Sequence, residues 1–360
     1  MSTTVTTTQA AGLTPGIQSG ETLLDLARGW LKQGNPIVGL ELLQSALQSP
    51  EADDDRSLRA NVLKETGRAW MMQSNWEHAE WHYLEAQRLF LDLEQPQGAA
   101  ESARNRANMN FQRGRYSEAE SLCRQALEWA SQAKNNDLRA TILNTLAAIE
   151  SATGRHRESL KSFRLCLADF QASRNVIRQG YVLLNIGLAN LELHEFGEST
   201  TSLNESLAIA LTEKDLSLVE ICYQNIAKCY LGQKEYALAQ AVLETARKIL
   251  PGLNSTALET ELSVLEARTC RVLGQFETAF YSLEMALRKS VDNKLAALQA
   301  DILLEQGLLL KEVGRTDEAI GKFNAAARQY REIGIDKGFR EAIRNVESLK
   351  RGNYQQEPTA

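Results

Sequence analysis

The chain has 360 residues, with 40 Lys and Arg against 46 Asp and Glu, for a formal charge of −6. That balance argues against generic binding to nucleic acid or an anionic membrane, and no apolar run approaches the length of a membrane span. Its five cysteines, Cys123, Cys166, Cys222, Cys229 and Cys270, are odd in number and lack framework spacing, which predicts reduced thiols in a cytoplasmic protein.

Residues 1–19 are rich in Thr and lack both a basic start and an apolar core, so a disordered tail is expected there, not a signal peptide. A first helical hairpin follows from about Glu21 to Gln48, with Asn35 as N-cap and Pro36 as the first residue of its second helix. Pro50 and the acidic run Glu51, Asp53, Asp54 and Asp55 read as an exposed loop. Pro96 falls between the second and third hairpins and Pro251 between the sixth and seventh, while Pro15 and Pro358 lie in the tails. All six prolines are thereby placed outside helix interiors, as an all-helical chain requires.

The clearest hairpin is residues 181–211. Leu183, Ile186, Ala189, Asn190 and Leu193 recur at helical spacing in its first half, and Phe196, Ser199, Leu203, Ser206, Leu207 and Ile209 in its second. A tight turn near His194 and Glu195 joins them. Past the last hairpin, residues 337–351 predict one more helix with the apolar stripe Phe339, Ala342, Ile343, Val346 and Leu349, a solubilising cap.

The hairpin repeats. Steps of 40 residues from Gly187 land on Ala27, Gly67, Ala107, Ala147, Ala227, Ala267 and Gly307. A second column holds Gly39, Ala79, Ala119, Ser159, Ser199, Ala239, Ala279 and Ala319. A third holds Ala46, Ala86, Ala126, Cys166, Ser206, Ala246, Ala286 and Ala326. Between the last two runs a column of core residues: Leu43, Tyr83, Cys123, Phe163, Leu203, Leu243, Leu283 and Phe323. Small residues make up roughly a quarter of ordinary sequence, so three such columns in one register are not chance. Residues without bulk let helix backbones approach where they cross.

On these columns the chain resembles the tetratricopeptide repeat, whose helix–turn–helix unit is usually about 34 residues long. The family's large aromatic at position 17 of the repeat is present as Trp76, Tyr116, Phe196, Tyr236 and Phe276, with Pro36, His156 and Thr316 departing from it. Its turn glycine is present as Gly34, Gly114, Gly154, Gly274 and Gly314, and is replaced by Ser74, His194 and Lys234. The longer unit of 40 residues is similar to that of signalling scaffolds and bacterial regulatory proteins. The resemblance implies an all-α, right-handed α-solenoid of eight hairpins over residues 20–335, a capping helix over 336–352 and a disordered tail over 353–360.

The sequence argues against an enzyme. His78 and His82 lie four residues apart on one helix, but the string HAEWH is not a metalloprotease motif and no third ligand accompanies it, so no metal site is expected. No nucleophile-elbow, P-loop or dinucleotide-binding pattern is present, and no cofactor is implied. Trp30 and Trp70 share one core register and read as packing.

By resemblance, the first helix of each hairpin lines a concave groove. Asn105, Asn185 and Asn225 share one position on that face, with Asn144 one residue away, where the family often uses a carboxamide to hold a ligand backbone, and Asn108 lies on the same face. A carboxamide can do so because it both donates and accepts, whatever the ligand's side chain. Stabilisation of neighbouring helices by the same asparagines stays open. Charge along the face is uneven. Arg28, Lys64, Arg68 and Arg104 occupy the first repeats, opposed by Glu21, Asp25, Glu65 and Glu101. Tyr181, Leu184 and Leu188 form a nearly neutral waist with Thr141 and Thr145. Lys228, Arg268 and Arg271 follow, opposed by Glu261, Asp301 and Glu305. This pattern suits an extended segment with an apolar anchor and polar flanks, although Leu184 could instead be core.

The function expected is therefore a cytoplasmic adaptor that binds a peptide segment or partner protein in its groove, without nucleic acid or membrane. Two alternatives remain: a regulatory module that captures a small peptide or ligand and changes curvature, and assembly with a second copy. The 19 residues before the first repeat are too few for an effector domain, which favours action in trans.

Overall fold

A computed structural model describes residues 19–249 and 256–354. Among the described residues the chain is helical, without strands. It divides into two compact units, Met1–Asn175 and Val176–Ala360.

The first unit contains α1 (Gly20–Lys32), α2 (Pro36–Leu47), α3 (Pro50–Asp54), α4 (Arg56–Met72), α5 (Trp76–Asp92), α6 (Pro96–Gln112), α7 (Tyr116–Gln132), α8 (Asn136–Ala152) and α9 (His156–Ala172). The second contains α10 (Val176–Glu192), α11 (Phe196–Glu213), α12 (Leu216–Gly232), α13 (Tyr236–Ile249), α14 (Thr256–Val272), α15 (Phe276–Asp292), α16 (Ala296–Glu312), α17 (Thr316–Glu332) and α18 (Asp336–Tyr354). Apart from α3 and α18, consecutive helices pair as eight hairpins, and each hairpin packs on the next within its unit.

Several helices begin where short polar side chains satisfy the first free backbone N–H groups, while α6, α7, α9, α11, α15, α16 and α17 start without a side-chain cap. Asn35 accepts from Val38 ahead of Pro36, Asp55 from Ser57 and Leu58, Asn135 from Leu138, and Asp215 from Leu218. Pro50 does not sit in a loop as expected: Ser49 caps a five-residue helix that Pro50 opens, and the acidic run forms its body. Pro36, Pro50 and Pro96 each stand at a helix start, where a missing N–H costs nothing. Pro15, Pro251 and Pro358, and nearly all of both expected tails, lie outside the described residues.

Hairpin turns use one left-handed residue whatever its side chain. Gly34 and Gly154 take φ of 80° and 78°, and Ser74, His194 and Lys234 take 57°, 60° and 63°. In five hairpins an aromatic, Trp76, Tyr116, Phe196, Tyr236 or Phe276, opens the second helix two residues after the left-handed one.

The small columns are crossing points. Ala27, Ala79 and Ala246 are fully buried. A Cβ on Gly67 would stand 2.8 Å from the Tyr83 ring, one on Gly187 2.6 Å from Leu203, and one on Gly307 2.6 Å from the Phe323 ring. At three of the four sites where Ser or Cys replaces Ala, its polar atom satisfies a carbonyl across the crossing, whereas Ser159 Oγ donates to His156 O of its own helix at 2.9 Å. Ser199 Oγ donates to Gly187 O at 2.7 Å, Ser206 Oγ to Gly180 O at 2.8 Å, and Cys166 Sγ to Ala140 O at 3.1 Å. All five cysteines are free.

Candidate ligand-binding face

Within each unit the first helices of the hairpins carry the residues expected to meet a ligand. The geometry there is dominated by ion pairs running from one repeat to the next. In the first unit Arg28 Nε on α1 lies 3.4 Å from Glu65 Oε1 on α4, and Arg68 reaches the same carboxylate at 3.6 Å. The ammonium of Lys64 on α4 pairs with Glu101 on α6, and Lys64 is buried. In the second unit Lys228 Nζ on α12 meets Glu261 on α14 at 2.9 Å, and Arg268 and Arg271 on α14 both hold Glu305 on α16, at 2.6 and 3.3 Å. Burial pushes the Glu101 pKa up, but Lys64 more than offsets this and leaves it below the usual carboxylate range. The cations predicted as ligand contacts are thus already partnered. A paired charge has less attraction to spare for a ligand, and buried Lys64 least of all.

The polar residues divide more finely. Asn225 is buried, and its Nδ2 donates to the Ile221 carbonyl at 2.7 Å. Asn105 Oδ1 accepts from Arg104 at 2.7 Å. Asn144 and Asn185 are half-buried and have partners of their own. The side chain of Asn108, half-buried on α6, makes no hydrogen bond. Leu184 is core, 5% exposed and packed with Leu203 and Leu218, which removes it from the neutral waist. Leu188 lies half-buried beside that cluster. Tyr181 is exposed, and its hydroxyl donates to Asp215 Oδ2 at 2.6 Å. That bond, with some burial, pushes its pKa up to about 12.

In the first unit the face opens into a cavity of about 550 Å³, lined by Arg28, Asn61, Lys64, Phe90, Gln97 and Glu101. Lys64 Nζ sits 5.7 Å from the centre of the Phe90 ring. Amide, guanidinium and carboxylate groups around one apolar ring suit a polar main chain with one apolar side group. Among the described residues no group of three or more His, Cys, Asp or Glu is placed to hold a metal, and no helix is long and apolar enough to cross a membrane. His78 Nδ1 lies 2.9 Å from Asn75, and His82 Nδ1 lies 2.7 Å from the His78 carbonyl.

Two features escaped the sequence reading. The ion-pair ladder had a signal: Arg28–Glu65, Lys64–Glu101 and Arg268–Glu305 are all 37 residues apart, one repeat less one helical turn. Glu220, 1% exposed with neither carboxylate oxygen hydrogen-bonded, also had one. It interrupts a column of Ala60, Ala100, Ala140, Gly180, Thr260 and Ala300.

A family profile described as Tetratricopeptide repeat matches residues 98–172. No curated protein sequence matches the chain. Among solved structures, the apo form of RapI superposes with a TM-score of 0.70 at 14% identity, covering 94% of this chain and 99% of that one. A Rap protein complexed with Competence and Sporulation Factor gives 0.56 at 12% identity, covering 94% and 99%. The apo quorum sensor NprR from B. thuringiensis gives 0.61 at 13% identity, covering 92% and 98%. At these identities the likeness is one of fold.

Proposed function

We propose that the chain, whose residues 98–172 match the tetratricopeptide-repeat profile, is a binding scaffold whose first-helix face holds an extended peptide segment. The observation that carries this is the cavity of about 550 Å³ formed by α1, α4 and the start of α6 with Phe90 of α5, with the carboxamide of Asn108 left unengaged further along α6. The cations around it are neutralised in place, so the segment they fit is not strongly acidic. Its backbone is held by amides and its apolar side group rests by Phe90. A regulatory use of this binding, in which ligand capture alters the action of a partner, draws support from fold relatives that include a quorum sensor and a factor-bound Rap protein.

Peptides enriched on the immobilised full chain from a random display library test the proposal. Binding by fluorescence anisotropy should weaken roughly five- to thirtyfold in Asn108→Ala, the loss of one or two backbone hydrogen bonds. The melting temperature should stay in place, because water replaces the ligand at an open site. Selected peptides that bind Asn108→Ala and Arg28→Ala as tightly as wild type would remove this face from consideration.

A further inference from the structure

We propose that α18 presents a docking face for an acidic, amphipathic helix of a partner protein. In all eight hairpins the first helix turns one face to its own second helix. There the small column from Ala27 to Gly307 meets the core column from Leu43 to Phe323, as at Gly187 against Leu203 and Gly307 against Phe323. On α18 the corresponding position is Glu347, which is exposed. The neighbouring column, buried at Ala60, Ala100, Ala140 and Ala300, becomes exposed Arg340. Among the described residues no helix follows α18 to cover this face. It forms a cavity of about 550 Å³ around half-buried Phe339 and Ile343, rimmed by Lys337, Arg340 and Arg344.

The charge on this face specifies the occupant. Arg28, Lys64, Lys228 and Arg268 each meet a carboxylate of the next repeat. Arg340 and Arg344 meet none: their Nε atoms donate only to the carbonyls of Asp336 and Arg340, at 3.3 and 3.4 Å, one turn back on their own helix. The nearest carboxylate to Lys337 is Glu192 on α10, at 3.8 Å, with both side chains largely exposed. Glu347, the acid on the same face, lies 3.5 Å from Arg351. Arg340 and Arg344, without a carboxylate, and Lys337, held only loosely by Glu192, are spaced by three and four residues and match carboxylates at the same spacing on a facing helix. Phe339 and Ile343 between them match its apolar stripe. Glu347 blocks the close approach that a ninth core helix would need. The partner is therefore acidic and rides over the cationic rim.

The probe is a fluorescein-labelled synthetic amphipathic peptide of about five helical turns, with Glu flanking a Leu stripe at three- and four-residue spacing. The control is the same composition scrambled. With the full chain, the patterned peptide should bind and the scrambled one should not. Arg340→Glu with Arg344→Glu should weaken binding roughly tenfold or more, and added salt should weaken it too. Reversal of Lys161 and Arg164, exposed elsewhere, should leave it unchanged. Both double variants alter exposed side chains, and their melting curves should overlay wild type. The proposal is overturned by any of four results. The patterned peptide does not bind; the scrambled peptide binds equally; the α18 variant binds as wild type does; or light scattering shows this face closed by a second copy. Sedimentation with phosphatidylserine vesicles that is lost in the same variant would assign the face to lipid instead.

Discussion

Glu220 is the residue at which the chain most clearly departs from its own pattern. Seven of the eight positions in its column from residue 60 to 340 are other than acidic, and five of those are Ala or Gly. Here α12 buries a carboxylate with neither oxygen partnered. Burial, and then the nearby charge of Glu261, pushes its pKa up to about 7. Glu261 is itself engaged with Lys228, and neither Glu220 oxygen has a hydrogen-bond donor of its own. The folded pKa lies above the unfolded value of about 4.3. The protonated form therefore contributes its full stability below about pH 4, and that contribution is lost as pH rises towards 7. Glu220→Gln keeps the neutral shape at every pH. Wild type should lose melting temperature between pH 5 and pH 8, and the variant should lose less and be the more stable of the two at pH 8. Parallel melting curves across that range would mean that Glu220 finds a charge partner in solution.

At the scale of elements, each hairpin is held by a small residue on its first helix and a larger one on its second, and the combination varies from hairpin to hairpin. Gly307 faces Phe323, whereas Ala267 in the preceding hairpin belongs to the same column as Gly307 and goes with Leu283. Gly307→Ala places a Cβ about 2.6 Å from a ring that is fully buried. It should cost about 1–3 kcal/mol by overpacking, in spite of the helix propensity gained. Adding Phe323→Leu rebuilds the Ala–Leu combination of the neighbouring hairpin and should recover part of that loss. A double-mutant cycle by urea unfolding should return a coupling of about 0.5–3 kcal/mol. Simple additivity would show that the two side chains do not share the crossing.

For the whole molecule the repeat of 40 residues predicts what can be removed. Deleting residues 181–220 excises one full period within the second unit and rejoins like faces of α10 and α12, so cooperative unfolding should persist. Deleting 201–220 instead joins a second helix to a first helix out of phase and should abolish a sharp thermal transition. Equal melts from the two deletions would count against the repeat as the unit of stability.

Hairpin existence, register and crossing points were all legible in the chain, because each is a local consequence of period. Ala27, Gly67 and Gly307 share one column because the same two helices cross there in every repeat, and Asn35–Pro36 marks a helix start by its own chemistry. Even the left-handed turns could be located at Ser74, His194 and Lys234, since the columns count residues regardless of identity. The acidic run after Pro50 was misread as a loop because a helix of five residues is too short to display a period. The state of the binding face was decided by tertiary structure alone. Whether Lys64, Lys228 and Arg268 stand free or neutralised depends on carboxylates a repeat away. Whether Asn225 or Asn108 can reach a ligand depends on which bonds the packed helix leaves them. Period is a property of the chain, but pairing of charges and carboxamides is a property of distances that exist only after the helices have stacked.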